Sequence, residues 1–464
     1  MKKTLGLLFA GFLAIMLCLG AGVKVNAATS IKSGIDTGLD TKLIGYGMGE
    51  QIGWDHWEGI PNVAQFKDNK GVFCIGVDSP KKVTVIKFNA DGTEKSRLEL
   101  TKAHPDFGTI ICDSDGNYYI VTGEENKGGD RTAETVFISK YSPKGKLIKT
   151  VGDNGSSSLA YYYTDSYYTQ KAFETGNCSA AINDGIISVI YSRLAYSGSQ
   201  SCSVFSVDIN SFEKVKAGVI FESHSFAQRV IPFKKGFTYV SEGDYSTRAF
   251  MIYTDKFKNN EARKAVFHFW MKENAFNNGD MLSVNNNYAR LANIVNFGDK
   301  TVGLIGTSAK SLNSNAEKET EQLFIQIFDP DNRNLGADAY VTKGVRSGLG
   351  GENGTKEVTD YGMKWLTDFG SNTKIWYPQA VSLSKTKAAI IFEKFIDEKF
   401  VGTYYMIVSN TGKVLKKAKR ISTVARLNPF AMPVYANKRV FWVGNKDYTE
   451  KDTSFPVYVF GFKP

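Results

Sequence analysis

Two segments of the chain copy one another. Lys300-Thr-Val-Gly-Leu-Ile-Gly306 matches Lys438-Arg-Val-Phe-Trp-Val-Gly444, and each follows an Ala-Arg-Leu, at 289–291 and 425–427. A self-match of this kind makes internal repetition the first thing to look for, because a repeated unit buries its apolar faces against copies of itself. The same sketch, a turn residue followed by a short apolar run, recurs at Gly71-Val-Phe-Cys-Ile75, Gly116-Asn-Tyr-Tyr-Ile-Val121, Gly185-Ile-Ile-Ser-Val-Ile190, Gly236-Phe-Thr-Tyr-Val240 and Lys387-Ala-Ala-Ile-Ile-Phe392. That makes seven units.

Each run leads to a second strand-like segment closed by a turn. Val83-Thr-Val-Ile-Lys-Phe88 meets Asn89-Ala-Asp-Gly92, Val136-Phe-Ile-Ser-Lys-Tyr141 meets Ser142-Pro-Lys-Gly145, and 404–408 meets Ser409-Asn-Thr-Gly412. Alternating β-branched and aromatic residues closed by such turns are hairpin signals. Seven repeats of four short strands predict an all-β chain, a seven-bladed β-propeller. An eight-bladed ring, with a further blade inside 333–377, and a pair of β-sandwiches are the alternatives. The seventh unit ends at Phe455-Pro-Val-Tyr-Val-Phe-Gly461, one strand short, while Thr41-Lys-Leu-Ile-Gly45 stands spare before the first. An N-terminal strand completing the last blade would close the ring and remove an open sheet edge. The surplus length over a compact repeat falls around 152–175, 270–285 and 333–377, in polar, Gly-rich stretches that read as loops.

Lys2 and Lys3, the apolar stretch from Leu5 to Leu19, and Val25-Asn26-Ala27 form a secretory signal peptide with cleavage near Ala27. The domain reading is therefore 1–27 signal peptide and 28–464 a single propeller, secreted or extracellular, with no transmembrane segment in the mature chain. Losing Lys2, Lys3 and Lys24 lowers the net charge from +10 to +7. The densest basic run, Lys416-Lys417-Ala418-Lys419-Arg420, reads as a solvated sheet edge, so nucleic acid is not an expected partner. Of five cysteines, Cys74, Cys112, Cys178 and Cys202 remain. Cys74 and Cys112 lie inside apolar runs and no CxxC occurs, which predicts buried thiols without zinc. Cys178 and Cys202 bracket the first and third strands of one blade, too far apart for a disulfide.

The stretches Ser223-His-Ser-Phe-Ala-Gln228, Glu242-Gly-Asp-Tyr-Ser-Thr-Arg248 and Lys364-Trp-Leu-Thr367 resemble segments of exported propeller-like proteins of Gram-positive bacteria. The resemblance implies secretion and the propeller. It carries over no catalytic residues.

Position says more about function than motif does. No Walker A loop, HExxH or GxSxG occurs. Asp113-Ser-Asp-Gly-Asn117 and Asp329-Pro-Asp-Asn332 have calcium-like acid spacing but lack the terminal Glu of an EF-hand, and suit turns. In a propeller, the links between blades land beside the central channel on one face. Those links hold Trp54, His56, Trp57, His104, the Tyr-rich 161–168 and His224, then Tyr288, Arg290, Trp365, Trp376, Tyr377 and Arg426. Arg193, Gln228, Asp244 and Arg248 are expected beside them on the channel wall. Flat rings interleaved with Arg and Asn suit sugar faces and protein hot spots. The expectation is a monomeric, cofactor-free recognition module that binds a cell-surface or extracellular glycan or protein through this funnel. The competing reading is a secreted glycoside hydrolase or polysaccharide lyase, with Asp55, Asp106 and Asp244 as candidate carboxylates. His56, His104 and His224 fall in different blades without HxH spacing, so no metal site is expected.

Overall fold

The structure is a computed structural model describing residues 34–41, 61–155, 168–173, 177–198, 200–215, 222–223, 225–243, 249–254, 264–268, 289–298, 300–309, 320–331, 363–446 and 455–464. Among the described residues every regular element is a β-strand, and the strands form seven antiparallel sheets. Blade 1 comprises Val63–Lys67, Phe73–Asp78, Lys82–Phe88 and Glu94–Thr101, from the inside outward. Blade 2 runs Asp106–Cys112, Tyr118–Gly123, Val136–Tyr141 and Leu147–Asp153. In blade 3 the inner edge is split into Thr169–Ala172 and Cys178–Asn183, both paired with Ile186–Ala195, and Gln200–Asp208 lies beyond. Blade 4 begins with Ser225–Phe233 and Gly236–Gly243, followed by Ala249–Thr254 and Lys264–His268. Blade 5 has Arg290–Asn296, Val302–Ala309, Glu321–Phe328 and Met363–Trp365. Blade 6 has Thr373–Ser384, Lys387–Ile396, Lys399–Ser409 and Val414–Ser422.

Blade 7 takes Val434–Ala436, Arg439–Gly444 and Phe455–Phe462 from the end of the chain and its outermost strand, Ile35–Thr41, from the beginning. Ile35 pairs with Val459 and Thr41 with Phe455. The closing strand thus lies earlier than the 41–45 segment that the sequence suggested, and the two share only Thr41. Its apolar members are Ile35 and Leu39, half-buried against the core of blades 7 and 1. The strand is short in apolar residues because one of its faces is wet.

The ring closes in two independent ways. The inner strands touch in unbroken cyclic order, blade 7 against blade 1 included. The apolar core divides into seven clusters, each lying between two consecutive blades rather than inside one. A strand's two faces therefore serve two cores. Phe73, Ile75 and Val77 point towards blade 7, while Cys74 between them points towards blade 2. In blade 6, Ala388, Ile390 and Phe392 face blade 5, and Ala389 and Ile391 face blade 7. This is why the second strands read as continuous apolar runs: both faces are covered, so the alternation of a half-exposed strand disappears. Alternation returns on the rim. Val414–Ser422, which carries the basic run, shows mostly exposed or half-exposed residues. All four described cysteines are free thiols, and burial pushes Cys74 up to about 12.

The Ala-Arg-Leu repeat has a structural cause. The 289–291 copy opens the blade 5 inner strand and the 425–427 copy lies in the link into blade 7, and each lies directly against a glycine of its blade's second strand. A Cβ on Gly306 would sit 2.8 Å from the Arg290 carbonyl oxygen, and one on Gly444 only 1.7 Å from that of Arg426. The two repeated motifs are the two sides of one close backbone approach.

Candidate functional site

Antiparallel order places the starts of the first strands and the ends of the second strands on one face of the ring. On that face lies a small recess lined by Asn177, Ala227, Arg229, Arg290, Leu291, Tyr377, Pro378, Pro429 and Phe430. These residues come from the entry to the blade 3 inner strand, the inner strands of blades 4, 5 and 6, and the link into blade 7. Five successive blades thus converge on the mouth of the central channel.

Buried carboxylates position this lining. Glu242 of blade 4 accepts the Leu291 N–H of blade 5 at 3.1 Å, and Glu321 of blade 5 accepts the Ile375 N–H of blade 6 at 2.7 Å. Glu393 of blade 6 accepts the Leu427 N–H of the blade 7 link at 2.6 Å. At the preceding junction the Asn177 side-chain oxygen does the same for the Gln228 N–H at 2.8 Å. At these four consecutive junctions, from blade 3 to blade 7, one blade is pinned to the next by a side-chain acceptor. Two arginines complete the set: Arg290 donates to Glu321 at 2.8 Å, and Arg426 donates through Nε to Glu393 at 2.9 Å, with its Nη2 in ion-pair contact with the same oxygen at 2.9 Å. Lys374 adds a second cation to Glu321 at 3.9 Å. Burial raises the Glu393 carboxyl above its ordinary value although Arg426 opposes the shift.

Arg229 differs. It is 5% exposed, and its Nη1 donates at 2.7 Å to the Gln228 carbonyl. Its Nε has no hydrogen-bond partner, and no described carboxylate lies within ion-pair distance of it. Burial pulls its guanidinium down to about 10, with Glu242 acting on it only through its field.

Tyr377 reaches the mouth through an irregularity. The pairing of Thr373–Ser384 with its neighbour shifts register between Trp376 and Gln379, and Tyr377 carries a φ of 47°. A bulge of this kind re-aims side chains, and Pro378 fixes the turn-out.

Of the residues singled out from sequence, Arg290 and Tyr377 line the recess, and Gln228 and Arg426 adjoin it. Gln228 is buried and donates to Ser225 Oγ at 2.8 Å. Arg426 lies over the Phe400 and Phe395 rings, 4.6 and 5.5 Å from their centroids. Trp376 packs on Phe395 and edge-on to Tyr377. Arg193 is fully buried within blade 3, donating to Ser201 Oγ, Thr169 Oγ1 and the Gly155 carbonyl, so it braces the split inner strand. His104 stacks on Phe137 and hydrogen-bonds Glu124 through Nδ1, as a wedge at the tip of blade 2. Trp365 belongs to the outermost strand of blade 5, where it meets Phe324 edge-on, and it is not part of the mouth. The link reading failed for it because the outer strand ends later than its apolar pattern suggested. Trp54, His56, Trp57, His224, Asp244, Arg248 and Tyr288 lie outside the described residues.

Asn177, Arg229, Phe430 and the three buried glutamates were missed. The signal available was a charged residue inside an otherwise apolar run, as in Ile390-Ile391-Phe392-Glu393. The acidic cluster at Asp113 is a turn: its Oδ1 accepts the Asp115 and Asn117 N–H groups, and its Oδ2 accepts Asn117 Nδ2 and the Tyr119 hydroxyl. Asp68 organises the matching turn of blade 1. Among the described residues no group of three or more His, Cys, Asp or Glu side chains could hold a metal ion. Nor is any helix there long and apolar enough to cross a membrane.

No protein-family model matches the sequence, and no curated protein does. Among solved structures the chain is similar to U3-55K, with 8% identity, a TM-score of 0.39, and coverage of 91% of this chain and 99% of that one. It is also similar to the N-terminal domain of Nup159, at 8% identity and TM-score 0.36, covering 91% and 95%. The α-L-arabinofuranosidase PaAbf62A from Podospora anserina, solved with cellotriose, gives 11% identity and TM-score 0.30 over 62% of this chain and 92% of that one. The blade count rests on the strand pairing and the seven interblade cores.

Proposed function

We propose that the protein is a secreted or cell-surface recognition module that binds an extracellular glycan or protein at the mouth of its ring. The observation that carries this reading is the recess itself. Five blades contribute to it, and Tyr377 and Phe430 stand beside Arg229 and Arg290. Concave sites with apolar walls and a few convergent polar groups are the usual form of ligand sites. The secretory leader in the sequence and the resemblance to exported Gram-positive propeller proteins support an extracellular setting.

A hydrolytic reading finds less support. Glu321 and Glu393 are consumed in holding main-chain N–H groups and arginines, which a catalytic acid or base could not be. Asp106 opens the blade 2 inner strand, with burial raising its carboxyl, and it does not line the recess.

The test takes the protein from the medium of an expressing bacterial culture and applies it to a glycan array and to isolated cell walls. Binding that is lost in Tyr377→Ala and kept in a rim variant such as Leu415→Ser supports the reading. Binding unaffected by Tyr377→Ala, or no export to the medium, contradicts it.

A further inference from the structure

The hairpins that join third to fourth strands lie on the face of the ring opposite the mouth. In blades 1, 2 and 6 they are built alike. Each turns on a glycine of positive φ, Gly92, Gly145 or Gly412, and the outer strand then bulges. Phe88 and Lys87 pair with Glu94 and Ser96, Tyr141 and Lys140 with Leu147 and Lys149, and Val408 and Ile407 with Val414 and Lys416. The extra residue is therefore Lys95, Ile148 or Leu415. A bulged residue is unpaired and its side chain is re-aimed. In blade 1 it is a lysine between Thr93 and Ser96. In blades 2 and 6 it is aliphatic and set between lysines, Lys146 and Lys149 in one, Lys413 and Lys416 in the other. Ile148 is 54% exposed and Leu415 45%. Blade 1 makes the same bulge without an apolar residue, so the fold does not require one there.

Charge is segregated at the same two tips. The rim of blade 1 carries both signs, paired as Arg97 with Glu94 and Lys82 with Glu99. At the blade 6 tip the Asn410 N–H donates to the Thr386 carbonyl at 3.0 Å, which sets exposed Lys385 and Lys387 beside Lys413. No described carboxylate lies within ion-pair distance of these three lysines. At the blade 2 tip Lys144, Lys146 and Lys149 outnumber one exposed acid on the adjoining turn, Asp115. Protecting a sheet edge takes charge of either sign, as blade 1 shows, and leaves this one-signed excess unexplained.

We propose that Ile148 and Leu415 enter the surface of an anionic lipid bilayer, with the flanking lysines on its phosphodiester headgroups and the mouth turned away. Neither the recess nor its lining takes part, so this surface stands apart from the recognition reading. Blades 2 and 6 lie three blades apart one way round the ring and four the other, which puts the two tips near opposite edges of one face. A flat, extended partner meets both at once. Aliphatic side chains between lysines suit the boundary between acyl chains and anionic headgroups. In blade 6 the Tyr404 and Tyr405 rings are covered by Lys394 and Lys416, an arrangement unsuited to stacking on nucleic-acid bases.

The test sediments the purified protein with vesicles of equimolar phosphatidylglycerol and phosphatidylcholine, and with vesicles of phosphatidylcholine alone. Binding is expected to the anionic vesicles only, and high salt should weaken it because the lysines are exposed. One lysine near an anionic membrane strengthens binding about fivefold, so Lys385→Gln combined with Lys413→Gln should weaken it about 25-fold. Ile148→Ser and Leu415→Ser should each weaken it about threefold or more. Lys127→Gln combined with Arg131→Gln removes the same charge from exposed positions on the mouth face, and should change binding by less than about twofold. All these side chains are exposed, so each variant should keep the wild-type melting temperature, which separates lost binding from lost folding. Equal binding to neutral vesicles, no binding to anionic ones, or an equal loss in the mouth-face variant would overturn the proposal. A loss in the lysine variant with none in either serine variant would mark a polyanion site and overturn the bilayer as its occupant. Tighter binding to inorganic polyphosphate than to the vesicles would do the same.

Discussion

Arg426→Met tests whether the buried carboxylates hold the blade tips together. The substitution removes a charge-assisted hydrogen bond and an ion-pair contact, each of 2.9 Å, and leaves Glu393, fully buried, with the Leu427 N–H. Hydrogen bonds to charged groups are each worth about 1.5–3 kcal/mol, and stranding a buried partner costs about 3–5 kcal/mol. Arg426 retains some contact with water, at 15% side-chain exposure, so its own removal returns part of that cost. The net loss at neutral pH should be about 3 kcal/mol. For a chain of this size the unfolding entropy converts that into a fall of roughly 3 °C in melting temperature. The pH dependence gives the sharper signature. Burial already raises Glu393 in the wild type, and losing Arg426 raises it further. A carboxyl raised in the folded state binds more protons there than in the unfolded chain, so stability falls as pH rises from its unfolded value towards its folded one. Scanning calorimetry of Arg426→Met should therefore show a deficit that is small at pH 4.5 and grows towards pH 8. Adding Glu393→Gln should recover most of it. A deficit below about 1 kcal/mol at every pH, or one that the double variant leaves unchanged, would refute the reasoning.

Gly444→Ala drives a Cβ into the Arg426 carbonyl at 1.7 Å and should prevent soluble folding, whereas Gly306→Ala, with 2.8 Å to the Arg290 carbonyl, should fold with a loss of about 1–3 kcal/mol; soluble yield and melting temperature check both. Deleting residues 34–41 exposes the Phe455–Phe462 edge and should produce self-association visible by light scattering, while a monodisperse monomer would contradict closure by this strand. Burial lifts Asp78 to about 6 against the pull of Lys102 at 2.7 Å. Wild-type stability should accordingly decline between about pH 4 and 6, by at most ~3 kcal/mol, and Asp78→Asn should remove that slope in denaturant titrations at each pH.

The ring was legible because repetition is an arithmetical property of a sequence. Once Lys300–Gly306 and Lys438–Gly444 align, the blade count follows, and the runs read as strands because both their faces are apolar. The closing strand was misplaced by several residues since Ile35 and Leu39 are its only large apolar side chains, a pattern weaker than the Leu-Ile pair at 43–44. The mouth was legible only in part. Links indicated which face to inspect, and Arg290 and Tyr377 were found that way. Arg229 and Glu393 sit inside strands, at heights along the channel that depend on the register of the pairing, and Tyr377 depends on a bulge. Register is settled by the packing of neighbouring blades, which no local pattern encodes. Trp365 looked like a funnel residue for the same reason, because sequence does not say where an outer strand stops.

The central claim, that the ring mouth is the binding surface, is tested most directly by photo-crosslinking. The purified protein is incubated with cell-wall oligosaccharides carrying a diazirine, irradiated, and digested for mass spectrometry. The account predicts that crosslinks concentrate on the peptides containing Tyr377–Pro378 and Pro429–Phe430 and are displaced by unlabelled oligosaccharide. Crosslinks confined to outer strands such as Val414–Ser422, or undiminished by competition, would contradict it.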